Sequence, residues 1–235
     1  MALDVGFGGQ QSLPIREGLL VMIPSIHSTA IIEEDVSLGE GTSIWDHVHI
    51  RRGSRLGEQC IVGGKSYIAY DVQIGNRVKI NASVYICNAV TIEDGAMISA
   101  GVLFTNDRFP RATTSDLKQL RPSAPDENTL PTVVRVGATI GAGAVIGSDV
   151  TIGRFAMVGM GAVVTRSVPD FHLVIGNPAR SIGCVCRCGE PLRKWDAERA
   201  DESYEVVCLA CGMEFQVCDR VVSELAAEPE AQAAS

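Results

Sequence analysis

The sequence predicts a mainly β protein built around a solenoid of short strands, and three observations predict it. Every sixth residue from Ile26 to Phe104, and again from Val134 to Val164, is Ile, Leu, Val or Phe: twenty positions in one phase with no polar member. Apolar residues make up 46% of the chain, so an unbroken run of twenty has chance odds of roughly one in 10^7 and the period is architectural. The position four residues later also repeats, from Ala30, Val36, Thr42 and Val48 through Ser54, Cys60 and Ser66 to Val102, then from Ala138 to Val168, and only Arg108 breaks it. A period of six fits neither the 3.6 of a helix nor the alternation of a strand, so each unit is a short strand plus a turn. Glycine directly after the aliphatic residue (Gly39, Gly57, Gly63, Gly75, Gly141, Gly147, Gly153, Gly159) is expected where a turn needs positive φ or close backbone approach.

Taken along the chain, residues 1–24 lie outside the repeat as an N-terminal arm. Met22 stands just before the first unit, so either translation starts there or the arm covers the open first coil, which a solenoid needs in some form. Residues 25–183 form the solenoid, interrupted at 105–133 by a polar, proline-bearing excursion. Loops of that length inside compact domains are uncommon and usually functional, so this one is expected to overhang the site. Residues 184–220 hold six of the eight cysteines, and residues 221–235, ending in an Ala/Glu/Pro/Gln-rich stretch, are expected to be a disordered tail.

Composition narrows the function classes. A net charge of −8 argues against a nucleic-acid binder. No apolar run approaches the roughly 20 residues that span a bilayer, and residues 1–21 lack the sustained apolar stretch of a secretory leader. A cytoplasmic protein is the expectation.

The hexads resemble those of hexapeptide-repeat acyltransferases. That resemblance implies a left-handed parallel β-helix with three flat sides and about 18 residues per coil, here six to seven coils. The handedness comes from the resemblance alone, since the general rule for parallel crossovers favours the right hand. Ile44-Trp45-Asp46-His47-Val48-His49, Arg77-Val78-Lys79-Ile80-Asn81, Val90-Thr91-Ile92-Glu93-Asp94-Gly95 and Phe104-Thr105-Asn106-Asp107 with Pro110-Arg111 are similar to the branch that N-acetylates nucleotide-linked amino sugars. The similarity runs from about Ile26 to Gly183. Val158-Gly159-Met160-Gly161 through Thr165, and Val174-Ile175-Gly176-Asn177-Pro178-Ala179-Arg180, are similar to segments found across acyl-CoA-dependent members. The resemblance implies acetyl-CoA as co-substrate, a homotrimer, and catalysis in a cleft between subunits walled by the loop. One departure stands out: the branch often carries Asn where this chain has Ala82, so Asn81 is carried over only as a neighbouring substrate contact.

Acyl transfer from a thioester to an amine requires a deprotonated nucleophile, a donor for the developing oxyanion and alignment of the two reactants. A sugar amine has a useful neutral fraction near pH 7, so the demand for a strong base is low. His49, on the matching segment, is the base candidate, with a positioning role as its alternative; Asn106 joins it as a catalytic candidate. His47 has weaker support, and His27 and His172 have no motif behind them. Asn81, Glu93, Asp107 and Arg111 are the expected substrate contacts, although Glu93 and Asp94 also suit the capping of turn amides. Gly141, Gly159, Gly161, Arg166 and Arg180 are expected at coenzyme A, where small residues admit the pantetheine and guanidinium groups hold phosphates.

Cys60 and Cys87 read as buried or inert thiols. Cys186-Arg187-Cys188-Gly189 and Cys208-Leu209-Ala210-Cys211-Gly212 resemble two zinc-ribbon knuckles, making Cys186, Cys188, Cys208 and Cys211 the candidate ligands of a structural zinc. The first knuckle is tighter than usual, so Cys184 is an alternative to Cys186; a disulfide cluster is the other reading. The function expected is acetyl-CoA-dependent N-acetylation of a nucleotide-linked amino sugar. A sugar O-acetyltransferase with a histidine base and a non-catalytic scaffold are the alternatives. A γ-class carbonic anhydrase, needing three histidine ligands, is disfavoured by four scattered histidines.

Overall fold

The computed structural model describes residues 23–196 and 203–225. The described residues form twenty-six strands and no helix, as the period of six requires. Most strands are two residues long, and three parallel ladders run the length of a left-handed parallel β-helix. Side A stacks β1 (Ser25–Ile26), β4 (Ser43–Ile44), β7 (Ile61–Val62), β10 (Lys79–Ile80), β13 (Met97–Ile98), β16 (Thr139–Ile140), β19 (Met157–Val158) and β21 (His172–Ile175). Side B stacks β2 (Ile31–Ile32), β5 (His49–Ile50), β8 (Tyr67–Ile68), β11 (Tyr85–Ile86), β14 (Leu103–Phe104), β17 (Val145–Ile146) and β20 (Val163–Val164). Side C stacks β3 (Ser37–Leu38), β6 (Arg55–Leu56), β9 (Gln73–Ile74), β12 (Val90–Ile92), β15 (Thr132–Val134) and β18 (Val150–Ile152). Seven coils are complete or nearly so, and β21 enters an eighth that lies beyond the hexads.

Each aliphatic residue of the repeat pairs with its counterpart one coil on: Ile44 with Val62, Val62 with Ile80, Ile50 with Ile68, Leu56 with Ile74. From Ile44 to Val164 these side chains are 5% exposed or less. Each such burial is worth about 1.5–3 kcal/mol, which is how strands of two residues persist. The polar members of the second series are buried and bonded. Ser54 Oγ donates to the Ala69 carbonyl at 2.7 Å and accepts the Val72 amide, and Thr42 and Ser66 bridge successive coils in the same way.

The turns decide between the two expected uses of glycine. The glycine after the aliphatic residue is there for space and not for positive φ. A Cβ on Gly39 would lie 2.4 Å from the Gly57 carbonyl carbon, because backbone of the next coil passes directly over it. The left-handed residue is two places further on: Asp35, Gly41, His47, Gly53, Gln59, Lys65, Asp71 and Arg77 all have φ between 54° and 73°. His47 is thus a turn residue, as its weak support suggested.

The excursion replaces one corner between sides B and C. Val90–Ile92 pairs with Thr132–Val134, 42 residues on where other partners are 18 apart, so the insertion is a whole number of hexads and the phase survives. The loop has its own order, with bridges between Asp107 and Thr129 and between Thr113 and Leu120.

At the far end β21 turns antiparallel into β22 (Arg180–Val185) and then β23 (Pro191–Lys194), which extend side A. A separate antiparallel sheet holds β24 (Tyr204–Val207), β25 (Glu214–Cys218) and β26 (Val221–Glu224). Two boundaries differ from expectation. The module is not set off at residue 184, since β22 belongs to the solenoid's own sheet. Residues 221–224 form a strand with Val222 6% exposed, because β25 has an edge to pair. The expectations for residues 1–22 and 226–235 lie outside the described residues. Among the described residues no helix is long and apolar enough to cross a membrane.

Substituting Gly39→Ala should lower unfolding free energy by about 1–3 kcal/mol, the range for forced overpacking, measured by urea denaturation; an unchanged midpoint would refute the close-approach explanation.

Candidate functional site

Side B differs from the other two sides in what it presents outward. Its outward positions carry Ile31, His49, Tyr67, Tyr85, Leu103, Val145 and Val163. Side C carries Ser37, Arg55, Gln73, Thr91, Val133 and Thr151 in the equivalent places. Coil arithmetic places His49, Tyr67 and Tyr85 one above another: the tyrosine rings stack at 5.4 Å and 6°, and His49 meets Tyr67 edge-on at 5.4 Å and 88°.

Beneath this ladder His49 Nε2 lies 2.9 Å from Glu33 Oε1. Glu33 also pairs with Arg51 Nε at 2.6 Å and accepts the Arg52 amide at 3.0 Å, while Arg51 donates to the Tyr67 hydroxyl at 2.8 Å. The Arg52 amide first, then the Arg51 and His49 side chains, hold the Glu33 carboxyl at about 2 instead of the ordinary 4.5. Glu33, Arg51 and Tyr67 were not singled out from sequence; the 18-residue spacing of 49, 67 and 85 was the available signal.

The loop closes over a cleft of about 390 Å³ at the B–C corner, lined by Tyr70, Asn106, Asp107, Arg111, Arg121 and Asp126 among others. Three predicted residues, Asn106, Asp107 and Arg111, therefore come together. Asn106 anchors the loop: its side-chain amide donates to the Asn88 carbonyl at 3.1 Å, Asn88 donates likewise to Tyr70 at 3.0 Å, and the Leu130 amide closes on the Asn106 carbonyl at 2.8 Å. Arg121 ties the rim to Asp126 at 3.2 Å and to the Phe109 carbonyl.

The opposite corner of side B, shared with side A, carries Asn81, Gly141, Gly159 and Gly161, and Arg180 starts β22 opposite Ile175 at the same corner. A Cβ on Gly141 would lie 2.6 Å from Met160 backbone and one on Gly159 2.7 Å from the Ile175 side chain, whereas one on Gly161 would meet nothing within 4 Å, although the Gly161 amide itself is taken by the Ala142 carbonyl at 2.9 Å. Arg166 does not join this corner. It follows β20 on the B–C side, two coils beyond Asn106, roughly 10 Å along the axis.

Two further candidates stand apart. Glu93 lies on the C–A corner, where it accepts the Val136 amide at 3.0 Å and pairs with Arg135 at 3.2 Å; Asp94 takes the Asn76 amide. Both carboxylates do the turn-capping work that the sequence also allowed. His49 and Asn106 are three coils apart, about 14 Å along the axis, so the chain does not bring them to one atom. Cys60 and Cys87 are buried, and burial pushes the Cys87 thiol up to about 12.

In the terminal module the sulfurs of Cys186, Cys188, Cys208 and Cys211 all lie within 4.8 Å of one another. Cys184 is buried outside this group. The donor set suits zinc: four soft ligands, with Cys186 to Cys211 at 3.4 Å and Cys188 to Cys208 at 3.6 Å, near the edge of about 3.8 Å that a tetrahedron with Zn–S bonds of about 2.3 Å requires.

Glu33 stabilises the fold only as a carboxylate, so its contribution is complete above pH 4.5 and is lost as pH falls toward 2. In denaturant titrations across that window Glu33→Gln should flatten the pH dependence; identical slopes would show that the network contributes nothing.

Residues 71–106 match the bacterial transferase hexapeptide family (six repeats), and residues 131–166 match the hexapeptide repeat of succinyl-transferase. Over 94 residues, 40% of this chain and 45% of the relative, the chain is 39% identical to a dTDP-3-amino-3,6-dideoxy-alpha-D-galactopyranose 3-N-acetyltransferase of Aneurinibacillus thermoaerophilus. Over 100 residues, 43% of this chain and 26% of the relative, it is 28% identical to a UDP-3-O-acylglucosamine N-acyltransferase of Polynucleobacter asymbioticus. The chain thus spans less than half the length of these curated relatives. Among solved structures, PerB of Caulobacter crescentus, in complex with CoA and GDP-perosamine, is 24% identical with a TM-score of 0.34, over 69% of this chain and 58% of that one. Both matched segments lie in the solenoid, where all twenty units share one phase, so this part of the chain is similar to the bacterial transferase hexapeptide repeats.

Proposed function

We propose that the protein is an acetyl-CoA-dependent N-acetyltransferase acting on the amino group of a nucleotide-linked sugar, in the synthesis of a surface polysaccharide or glycan precursor. The observation that carries this is the gathering of Asn106, Asp107 and Arg111 in one loop-covered cleft, on the side whose other corner carries Gly161 and Arg180. The 39% identity to a sugar N-acetyltransferase supports the same chemistry.

In this reading the amine nitrogen attacks the thioester carbonyl. The C–S bond then breaks, and the proton lost by nitrogen leaves with the coenzyme A thiol. Asp107 attracts the incoming ammonium, Arg111 holds an anionic part of the nucleotide sugar, and the space left by the missing side chain of Gly161 admits the pantetheine, with Arg180 toward the phosphates. Asn106 keeps the loop in place over the reacting groups. His49, about 14 Å away along the axis, positions the far end of an extended substrate and is not the base for an amine that is partly neutral at pH 7. Asn81, on the other corner, is an auxiliary contact. Acetyl-CoA is consumed as co-substrate in the cytoplasm, and the zinc of the terminal thiolates is structural.

A homotrimer fits the surface. Tyr85, Leu103, Phe109, Leu117 and Leu120 are 43–80% exposed on side B and the loop, and a three-fold neighbour placed there would cover them and set its A–B corner against this chain's cleft. Light scattering should give a mass near three times the 25.0 kDa chain; a monomer that still turns over would remove the shared cleft.

One observation favours the O-acetyl alternative: a carboxylate-oriented imidazole is what a hydroxyl nucleophile needs, and His49 with Glu33 is such a pair. Free-thiol release from acetyl-CoA with nucleotide-linked 3-amino and 4-amino sugars, beside hydroxyl acceptors, separates the readings. N-acetylation predicts turnover with amines alone, a loss of less than about tenfold in kcat for His49→Ala, and a rise of about tenfold in KM for Arg111→Ala, the effect of one charge-assisted contact. Turnover of hydroxyl acceptors, abolished by His49→Ala, would establish the alternative.

A further inference from the structure

We propose that the terminal zinc acts as a clasp: it fastens a sheet that has no strand ladder to the solenoid onto one that belongs to it, closing the last coil. This rests on reading the four thiolates as zinc ligands and is independent of the acetyl-transfer reading.

The two knuckles have different attachments. Cys186 and Cys188 follow β22 directly, and β22 is hydrogen-bonded to β21 of the solenoid, so this half of the site is rigidly part of side A. Cys208 and Cys211 lie in the turn between β24 and β25, whose three-stranded sheet has no ladder to side A among the described residues. The metal would therefore bond two sheets that backbone pairing leaves separate. Both knuckles are built to present two sulfurs to one point. In each, a glycine after the second cysteine takes a left-handed conformation (Gly189 at φ 93°, Gly212 at 77°) and its amide closes on the carbonyl of the first cysteine, at 2.9 and 2.8 Å. Four thiolates fill a tetrahedral zinc, leaving no open position for catalysis.

The outer sheet also has packing contacts of its own: Phe215, Val217 and Val222 are buried, and Arg193 and Arg220 lie over the Tyr204 and Trp195 rings at 4.5 and 5.9 Å. Phe215 sits edge-on to Phe171 at 5.5 Å, Arg187 pairs with Glu224 at 3.4 Å, and His172 Nε2 meets the Arg220 carbonyl at 2.8 Å. This small apolar cluster, which includes Cys186 and Cys208, is distinct from the continuous core of the solenoid. Cys186 and Cys208 are buried, whereas Cys188 and Cys211 are exposed, so one side of the site faces the small core and the other is open to a chelator. Losing the ion should release the outer sheet and leave the coils intact.

The test uses the full chain. Metal analysis of the purified protein should find one zinc per chain, and Cys208→Ser/Cys211→Ser should abolish it while leaving the β circular dichroism unchanged. Hydrogen exchange before and after chelation should then show amides in residues 204–224 exchanging at least tenfold faster, with those in residues 43–104 unaltered, and zinc should restore protection. Protein that carries no zinc, and binds none when zinc is added, overturns the ligand reading and the clasp with it. Zinc that is present but whose removal leaves residues 204–224 protected overturns the clasp alone. Loss of protection throughout the solenoid also overturns it, by showing that the ion supports the whole fold.

Discussion

Everything in this molecule depends on the stacking of one aliphatic side chain on the next, coil upon coil, down each of three sides. A two-residue strand has almost no pairing energy of its own. The rungs hold because Ile50, Ile68 and Ile86, like their counterparts on the other sides, are withdrawn almost wholly from water. That requirement determines the coil at 18 residues, and the coil in turn determines which residues share a corner. The loop leaves it intact: it departs after Phe104 and returns the chain to side C with Val134 facing inward, opposite Ile92 of the coil before.

The corners follow from the same geometry. A chain that turns every six residues needs one left-handed residue per turn, supplied by Gly, Asp or another residue at the third position after the aliphatic. Where the next coil passes directly overhead it also needs a residue without a Cβ, which is the glycine immediately after it. Buried Thr and Ser hydroxyls bond between coils instead of leaving unpaired polar groups. With inward positions and corners so constrained, chemical variety is left to the outward positions and to the loop. Side B carries the aromatic ladder and is flanked by the two corners that hold most of the candidate residues, while side C is polar outside Val133.

Axial distance is the strictest consequence for chemistry. Groups on one side are separated by whole multiples of the strand spacing, so His49 and Asn106 stay about 14 Å apart, and a parallel three-fold neighbour would present the same heights. A site that drew on both the Tyr67 and Tyr85 ladder and the cleft under the loop would be extended along the axis. At the far terminus regular stacking stops, and closure passes from aliphatic rungs to antiparallel strands, a small aromatic cluster and four sulfurs.

The residues alone determined the solenoid, its phase, the place of the loop and the gathering of six cysteines after the repeat, because period and spacing are properties of the chain read in order. The tight first knuckle left Cys184 as an alternative to Cys186; the path of β22 places Cys186 with the other three. Sequence could not tell that Glu93 would be taken up by Val136 and Arg135, that Glu33 would sit beneath His49, or that Arg166 and Arg180 would fall on different corners. Those facts depend on which side of the prism a residue occupies and at what height, and height accumulates only as coils stack. The tertiary structure decided them for that physical reason: contacts 16 to 43 residues apart are made by the winding of the coil and not by any local preference of the residues that meet.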